Sequence, residues 1–359
     1  MTAAADRAAP STMNATSSRG WRSICVRPPK MLGSFTRQVS ARRRGCKHHN
    51  RGMQSPFVVA IFGPTASGKT AVAEELASRF PAELISADSM QLYLGLPILT
   101  NQPTTPTRLV GVWNLDHEAS VAEYQQLAHE AIDEVLAGGK TPIVVGGTGL
   151  YLRAALSELE LPPPPRPGQR EHWLRVYEVV GGERAHELLA ERDPAAAASV
   201  HPNDRRRVVR ALELTDAWRS LRASADRLWS PDTRHPTLVV GLDVPREELW
   251  PRIEQRTRAM FEAGVKEEVM EAFAGPISAT ARKAMGLEEV AELPRDEAIE
   301  AINLRTRRYA AYQRKWMRRI PGLVSVAADR PPGEVADEIL EVVRARQHLP
   351  ARRGRTADT

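Results

Sequence analysis

Along the chain the apolar positions switch between two patterns. Phe57-Val58-Val59-Ala60-Ile61-Phe62 is continuously apolar and stops at Gly63-Pro64, as a strand buried on both faces should. From Thr70 to Phe80 the spacing becomes helical, with Val72, Leu76 and Phe80 on one face and Glu74, Glu75 and Arg79 elsewhere. Glu83 to Ala87 reads as a second short strand ending at Asp88-Ser89. Ser120 to Leu136 predicts a helix with Val121, Tyr124, Leu127, Ala128, Ala131 and Val135 on one stripe, closed by Gly138-Gly139. Pro142 to Val145 is another buried strand, closing on Gly146-Gly147-Thr148-Gly149, and Thr237 to Asp243 is a fourth. Between these two, Pro162-Pro163-Pro164-Pro165-Arg166-Pro167-Gly168 admits neither a helix nor a central strand and marks a boundary. From there to about His235 the pattern is helical, and after Asp243 helices dominate, the most informative running from Arg305 to Ile320.

The turn between the first strand and the first helix changes this from a pattern into a chemistry. Gly63-Pro64-Thr65-Ala66-Ser67-Gly68-Lys69-Thr70 fits G-x-x-x-x-G-K-[ST], a phosphate cradle. Backbone N–H groups and a helix N-terminus face the phosphates, Lys69 adds a positive charge, and Thr70 can hold Mg²⁺. An ordinary glycine-rich turn leaves the Lys and Thr after the second Gly unexplained. Asp88 lies just beyond a strand's carboxyl end, where an open parallel sheet has its ligand crevice; the competing role is a cap for the turn Met90-Gln91-Leu92-Tyr93. The glycines at 146–149 allow close approach of a ligand or of a neighbouring element, or simply a tight turn. Asp243 resembles a Walker B acid in position, but a cap is the preferred reading. The fold expected is α/β, a P-loop kinase-like parallel sheet core with an inserted helical subdomain. The core spans 55–160 and 236–330, the helical insertion 161–235, and a C-terminal helix with a basic tail 331–359.

Composition bounds the rest. The chain has 359 residues, 42% apolar and 26% charged, as a globular protein does. No apolar stretch reaches the roughly 18 residues of a membrane span. Cys25 and Cys46 both precede the first strand, so neither is a candidate nucleophile or a staple, and a reducing cytoplasm is expected. Residues 1–54 carry eleven Lys/Arg and one acid, Asp6, so of the net +6 this extension supplies +10 and the remainder carries −4. Ala-, Ser- and Arg-rich, the extension reads as disordered. A transit peptide, a flexible arm and a start codon properly at Met53 all fit it. The tail from Arg344 reads the same way. Any case for an anionic partner must therefore rest on local clusters. One follows the cap pair Asn203-Asp204: Arg205, Arg206 and Arg207, with Arg210 a turn on, oppose the helix dipole and favour a negatively charged partner. The other is the helix from Arg305 to Ile320, with seven Lys/Arg (Arg305, Arg307, Arg308, Arg314, Lys315, Arg318, Arg319) and no acid. Its Tyr309, Tyr312 and Trp316 are expected on the core and its basic face against phosphates.

Taken in series, G-P-T-A-S-G-K-T, S-A-D-S-M-Q-L-Y, V-G-G-T-G-L-Y, H-P-N-D-R-R-R-V-V-R-A-L-E and T-R-R-Y-A-A-Y-Q-R-K-W resemble the bacterial tRNA dimethylallyltransferases, from about Phe57 to Val326. The resemblance implies transfer of a dimethylallyl group from dimethylallyl diphosphate to N6 of the adenosine immediately 3′ of a tRNA anticodon. It implies that the loop from Gly63 to Thr70 holds a diphosphate leaving group, with Lys69 catalytic and Mg²⁺ on Thr70. Asp88 matches the general base and Arg256 a catalytic residue on the diphosphate side. Asp88, Ser89, Met90 and Gln91, then Thr148, Arg170, Arg206, Arg207 and Arg210, match tRNA-contact positions. The partners implied are the anticodon stem-loop and the donor, with no membrane and a monomeric enzyme. Four positions depart from the family pattern: Leu94, Gln102, Trp113 and Leu287 stand where basic or polar residues are usual, which bears on tRNA affinity. The rival readings are a small-molecule or nucleotide kinase, an adenylate isopentenyltransferase, and a nucleotide-switched binding module, the last disfavoured by the lack of an N-K-x-D signature.

Overall fold

The computed structural model describes residues 57–162, 165–221 and 227–347. Its strands are β1 (Val58–Phe62), β2 (Ala82–Ser86), β3 (Thr107–Arg108), β4 (Thr141–Gly146), β5 (Thr237–Asp243) and β6 (Val324–Ala327). They form one sheet in the order β3-β2-β4-β1-β5-β6, and all its ladders are parallel. The four strands expected from the sequence are β1, β2, β4 and β5. The edge strands β3 and β6 are two and four residues long, too short to show a period. In β1, Val58, Ala60 and Phe62 enter one core with Tyr124, Val144 and Leu152, while Val59 and Ile61 enter the other with Val72, Leu76 and Ile339. Successive strand side chains point to opposite faces, so a strand covered on both has no polar position.

The helices before the boundary are α1 (Lys69–Ala77), α2 (Val121–Ala137) and α3 (Gly149–Leu156). Then come α4 (Gln169–Arg192), α5 (Pro194–Ala197) and α6 (Arg205–Thr215), and after β5, α7 (Arg246–Glu262), α8 (Val265–Phe273), α9 (Leu287–Glu292), α10 (Arg295–Met317) and α11 (Pro332–Gln347). α2 and α3 cover the first face of the sheet, α1 and α11 the second. α4 to α6 bury a cluster of their own that includes Trp173, Leu189, Val208 and Leu212. α4 turns at Gly181, whose φ of 81° suits glycine alone. α10 begins ten residues before the expected Arg305: Pro294 leads into a first turn whose Asp296 and Glu297 complement the helix dipole. No described helix is long and apolar enough to cross a membrane. The expectations for residues 1–54 and for the basic tail after Gln347 lie outside the described residues.

Because the ladders are parallel, the carboxyl ends of β1, β2, β4 and β5 share one edge of the sheet. The segments carrying Gly63 to Thr70, Asp88, Thr148 and Asp243 all leave from that edge.

Candidate active site

Beyond β1 the chain turns at Gly63, where a Cβ would crowd Ser67 Oγ at 2.8 Å and Leu242 at 3.2 Å. Ala66 and Gly68 take positive φ of 63° and 82°, and Ser67 N donates to Pro64 O at 3.2 Å, so the loop folds back on itself before α1 starts at Lys69. The first-turn amides of a helix have no intrahelical acceptor and carry the positive end of its dipole. Lys69 Nζ donates to Pro64 O at 2.8 Å. Desolvation lowers its pKa to about 8; Asp88 opposes that shift and Arg256 adds to it. Arg256, on α7, is also pulled down by desolvation with Asp88 opposing, and its Nε is buried without an acceptor among the described residues. Ser67 Oγ is likewise buried with no partner among them. Two desolvated cations, an unpartnered hydroxyl and a helix N-terminus together match a polyanion. Among the described residues no group of three or more His, Cys, Asp or Glu could hold a metal ion. Thr70, in the first turn of α1, offers one hydroxyl oxygen. That fits Mg²⁺, which keeps most of its shell for water and phosphate oxygens.

Asp88 follows β2, and its Oδ1 accepts from Met90 N at 3.0 Å, so the cap foreseen for it is made. The same carboxylate is the charge felt by Lys69, Arg256, Tyr124, Tyr151 and Tyr309. Capping and a place in the crevice are therefore compatible. Burial raises all three phenols, Tyr309 to about 12, so they stay neutral beside the carboxylate. After β4, a Cβ on Gly146, Gly147 or Gly149 would overlap the Ala87 carbonyl, Gln313 Nε2 or the Trp316 ring respectively. Of the roles open to these glycines, close approach of neighbouring elements is the one seen. Thr148 Oγ1 lies 3.3 Å from Tyr309 Oη.

The other residues marked for RNA contact divide by what already holds them. Gln91 ties its own loop, donating from Nε2 to Asn101 O at 2.9 Å and accepting from Ser86 Oγ at 2.9 Å. Met90 packs against the cluster of Leu96, Leu99 and Leu287. Arg170 and Arg210 share Glu213, at 2.9 and 2.8 Å, and that carboxylate is almost fully buried. Asp204 caps α6 through Arg207 N at 3.1 Å, as expected, and leaves Arg206 and Arg207 exposed. Lys283 was not foreseen: desolvation lowers its pKa, with Arg206 and Arg170 adding and Glu118 opposing. Three separate elements supply Arg170, Arg206 and Lys283, so no run of sequence announces the cluster.

Several expectations are corrected. Asp243 is not a cap, since Pro245 holds that position at α7; its Oδ1 accepts from Arg314 Nη2 at 3.0 Å. Arg314 also donates to Val244 O at 3.0 Å, which makes it a tie within the protein and not a free basic group. The aromatic stripe of α10 is not wholly on the core, because Tyr312 is 53% exposed. Of the four departures, Trp113 is buried against Tyr93 and His117, Leu287 is fully buried, and Gln102 Nε2 donates to Tyr93 O at 2.8 Å. These three serve the fold; Leu94 is half exposed.

Comparison with known proteins adds independent findings. Residues 91–320 match the IPP transferase family and residues 56–111 the isopentenyl transferase family. The chain is similar to the tRNA dimethylallyltransferase of Corynebacterium jeikeium, 39% identical over 79% of this chain and 96% of that one. It is similar also to that of Streptomyces coelicolor, 40% identical over 74% and 89%. Among solved structures, the full-length tRNA isopentenylpyrophosphate transferase of Bacillus halodurans superposes with a TM-score of 0.60 at 30% identity, covering 82% of this chain and 97% of that one.

Proposed function

The chain belongs to the tRNA dimethylallyltransferase family, and we propose that it transfers a dimethylallyl group from dimethylallyl diphosphate to N6 of the adenosine 3′-adjacent to a tRNA anticodon. The observation that carries the reading is the meeting of Lys69 and Arg256, two desolvated cations, with the Asp88 carboxylate at the carboxyl edge of the sheet. As the allylic C–O bond loosens, negative charge grows on the departing diphosphate. Lys69, Arg256 and the loop amides neutralise it from fixed positions, which is the electrostatic stabilisation that counts most in such steps. Mg²⁺ held at Thr70 would supply further charge neutralisation on the diphosphate. The N6 lone pair forms the new C–N bond, and Asp88 takes the N6 proton. General-base help of this kind contributes about 10²–10⁴-fold. An adenine must leave its stack to reach a buried allylic carbon. Exposed Arg206 on α6, with Arg170 and Lys283 near it, and exposed Arg207 on the same helix support RNA held across the crevice mouth. With tRNA as acceptor, the setting we propose is the cytoplasm.

Incubating the protein with dimethylallyl diphosphate, Mg²⁺ and unmodified tRNA, then analysing the nucleosides by mass spectrometry, tests this directly. One prenylated adenosine per tRNA is expected; phosphate release from ATP without RNA and no prenylated nucleoside would favour a kinase instead.

A further inference from the structure

Gln313 lies on the buried side of α10, 2% exposed, and belongs to neither the phosphate loop nor the basic face of its helix. Its Oε1 accepts from Thr65 N at 2.8 Å, and its Nε2 donates to Gly147 O at 2.8 Å. An amide has one acceptor end and one donor end, so only this orientation satisfies both backbone groups. A Cβ on Gly147 would overlap Nε2, so the glycine there is the space Gln313 occupies. One side chain thus joins the middle of the phosphate loop to the turn before Thr148, segments 248 and 166 residues away from it in sequence. The next loop residue, Ala66, holds a positive φ of 63°, a conformation that surrounding contacts must maintain.

We propose that Gln313 is a positioning residue for the transfer, fixing the diphosphate loop at Thr65 against the turn at Gly147 and so setting the distance between donor and acceptor sides. The proposal rests on the family activity described above, and reaches it through a buried residue whose polar atoms are both held by backbone groups. Replacing Gln313 leaves the part-buried Thr65 N–H and the buried Gly147 C=O without this partner, and the loss of a partner costs most at the buried carbonyl. The loop then samples more geometries, and a loop that must be ordered by its ligand binds that ligand more weakly.

The test uses the full chain with Gln313→Met, which keeps side-chain length and removes both hydrogen bonds. Affinity for inorganic diphosphate with Mg²⁺ is measured by calorimetry, and kcat and the KM for tRNA are measured in the transfer assay. The expectation is diphosphate binding weaker by about three- to tenfold, kcat lower by roughly tenfold to 10²-fold, and an unchanged KM for tRNA, in a protein that still unfolds cooperatively. Gly147→Ala reaches the same contact from the other side, its methyl displacing the Gln313 amide, and decides the matter should Gln313→Met fail to fold. A folded variant with wild-type diphosphate affinity and wild-type kcat would reduce Gln313 to packing and overturn the proposal. Wild type that binds diphosphate but prenylates no RNA would instead overturn the activity, while the effect of Gln313 on diphosphate affinity would still be read.

Discussion

Lys69 is a cation whose surroundings work against its charge: desolvation and Arg256 both push the proton off, and the Asp88 carboxylate pulls it back. A diphosphate reverses that balance, which is why the site is better explained by its ligand than by the stability of the free protein. Lys69→Ala should therefore weaken inorganic diphosphate binding by about 10- to 100-fold, the size of a hydrogen bond to a charged group, as read by calorimetry at pH 7 where Lys69 is still protonated. An equal affinity would place the donor elsewhere. Asp88→Asn preserves an oxygen for Met90 N, so the turn stays capped, but the amide cannot take a proton. Single-turnover transfer should fall by about 10²–10⁴-fold with diphosphate affinity little changed; a near-normal rate would leave Asp88 only its capping role.

At the scale of elements, α10 carries two kinds of basic residue that its sequence does not separate. Arg314 is tied to Asp243 and to the Val244 carbonyl, whereas Arg308, Lys315 and Arg318 are exposed and make no ion pair among the described residues. Changing Arg308, Lys315 and Arg318 together to Gln should weaken tRNA binding and flatten the slope of log K against log salt by about 0.7–0.9 per lost contact; a titration at several salt concentrations that returns the wild-type slope would show a merely solvated face. Arg314→Gln should leave that slope alone and cost about 1 kcal/mol of stability, seen as a lower Tm. The same contrast explains what was legible beforehand. Continuous apolar runs such as β1, β4 and β5 announced themselves because both faces of the sheet are covered, and the loop at Gly63 to Thr70 because its chemistry needs fixed spacing. The edge strands β3 and β6, the pairing of Arg314 and the bridging role of Gln313 were not legible. Each depends on a partner far away in the chain, and periodicity reports only neighbours within a turn or two. Lys283 was missed for the same reason.

For the molecule as a whole, residues 55–359 carry −4, so a polyanion as large as tRNA must be met by local arrangement and not by net charge. The helices α4 to α6, built on their own cluster, present Arg206 towards the crevice in which Asp88 and Lys69 lie, and its charge reaches Tyr151 and Lys283. In this account tRNA is bound through phosphates at that mouth, and the chemistry is confined to one exocyclic amine. The most direct test is transfer to two anticodon stem-loops that differ at a single base: one with adenosine 3′ of the anticodon, the other with purine riboside, which stacks alike but lacks the N6 amine. Similar binding of both RNAs and prenyl transfer to the adenosine alone are expected, and transfer to the purine RNA at a comparable rate would rule out N6 as the acceptor.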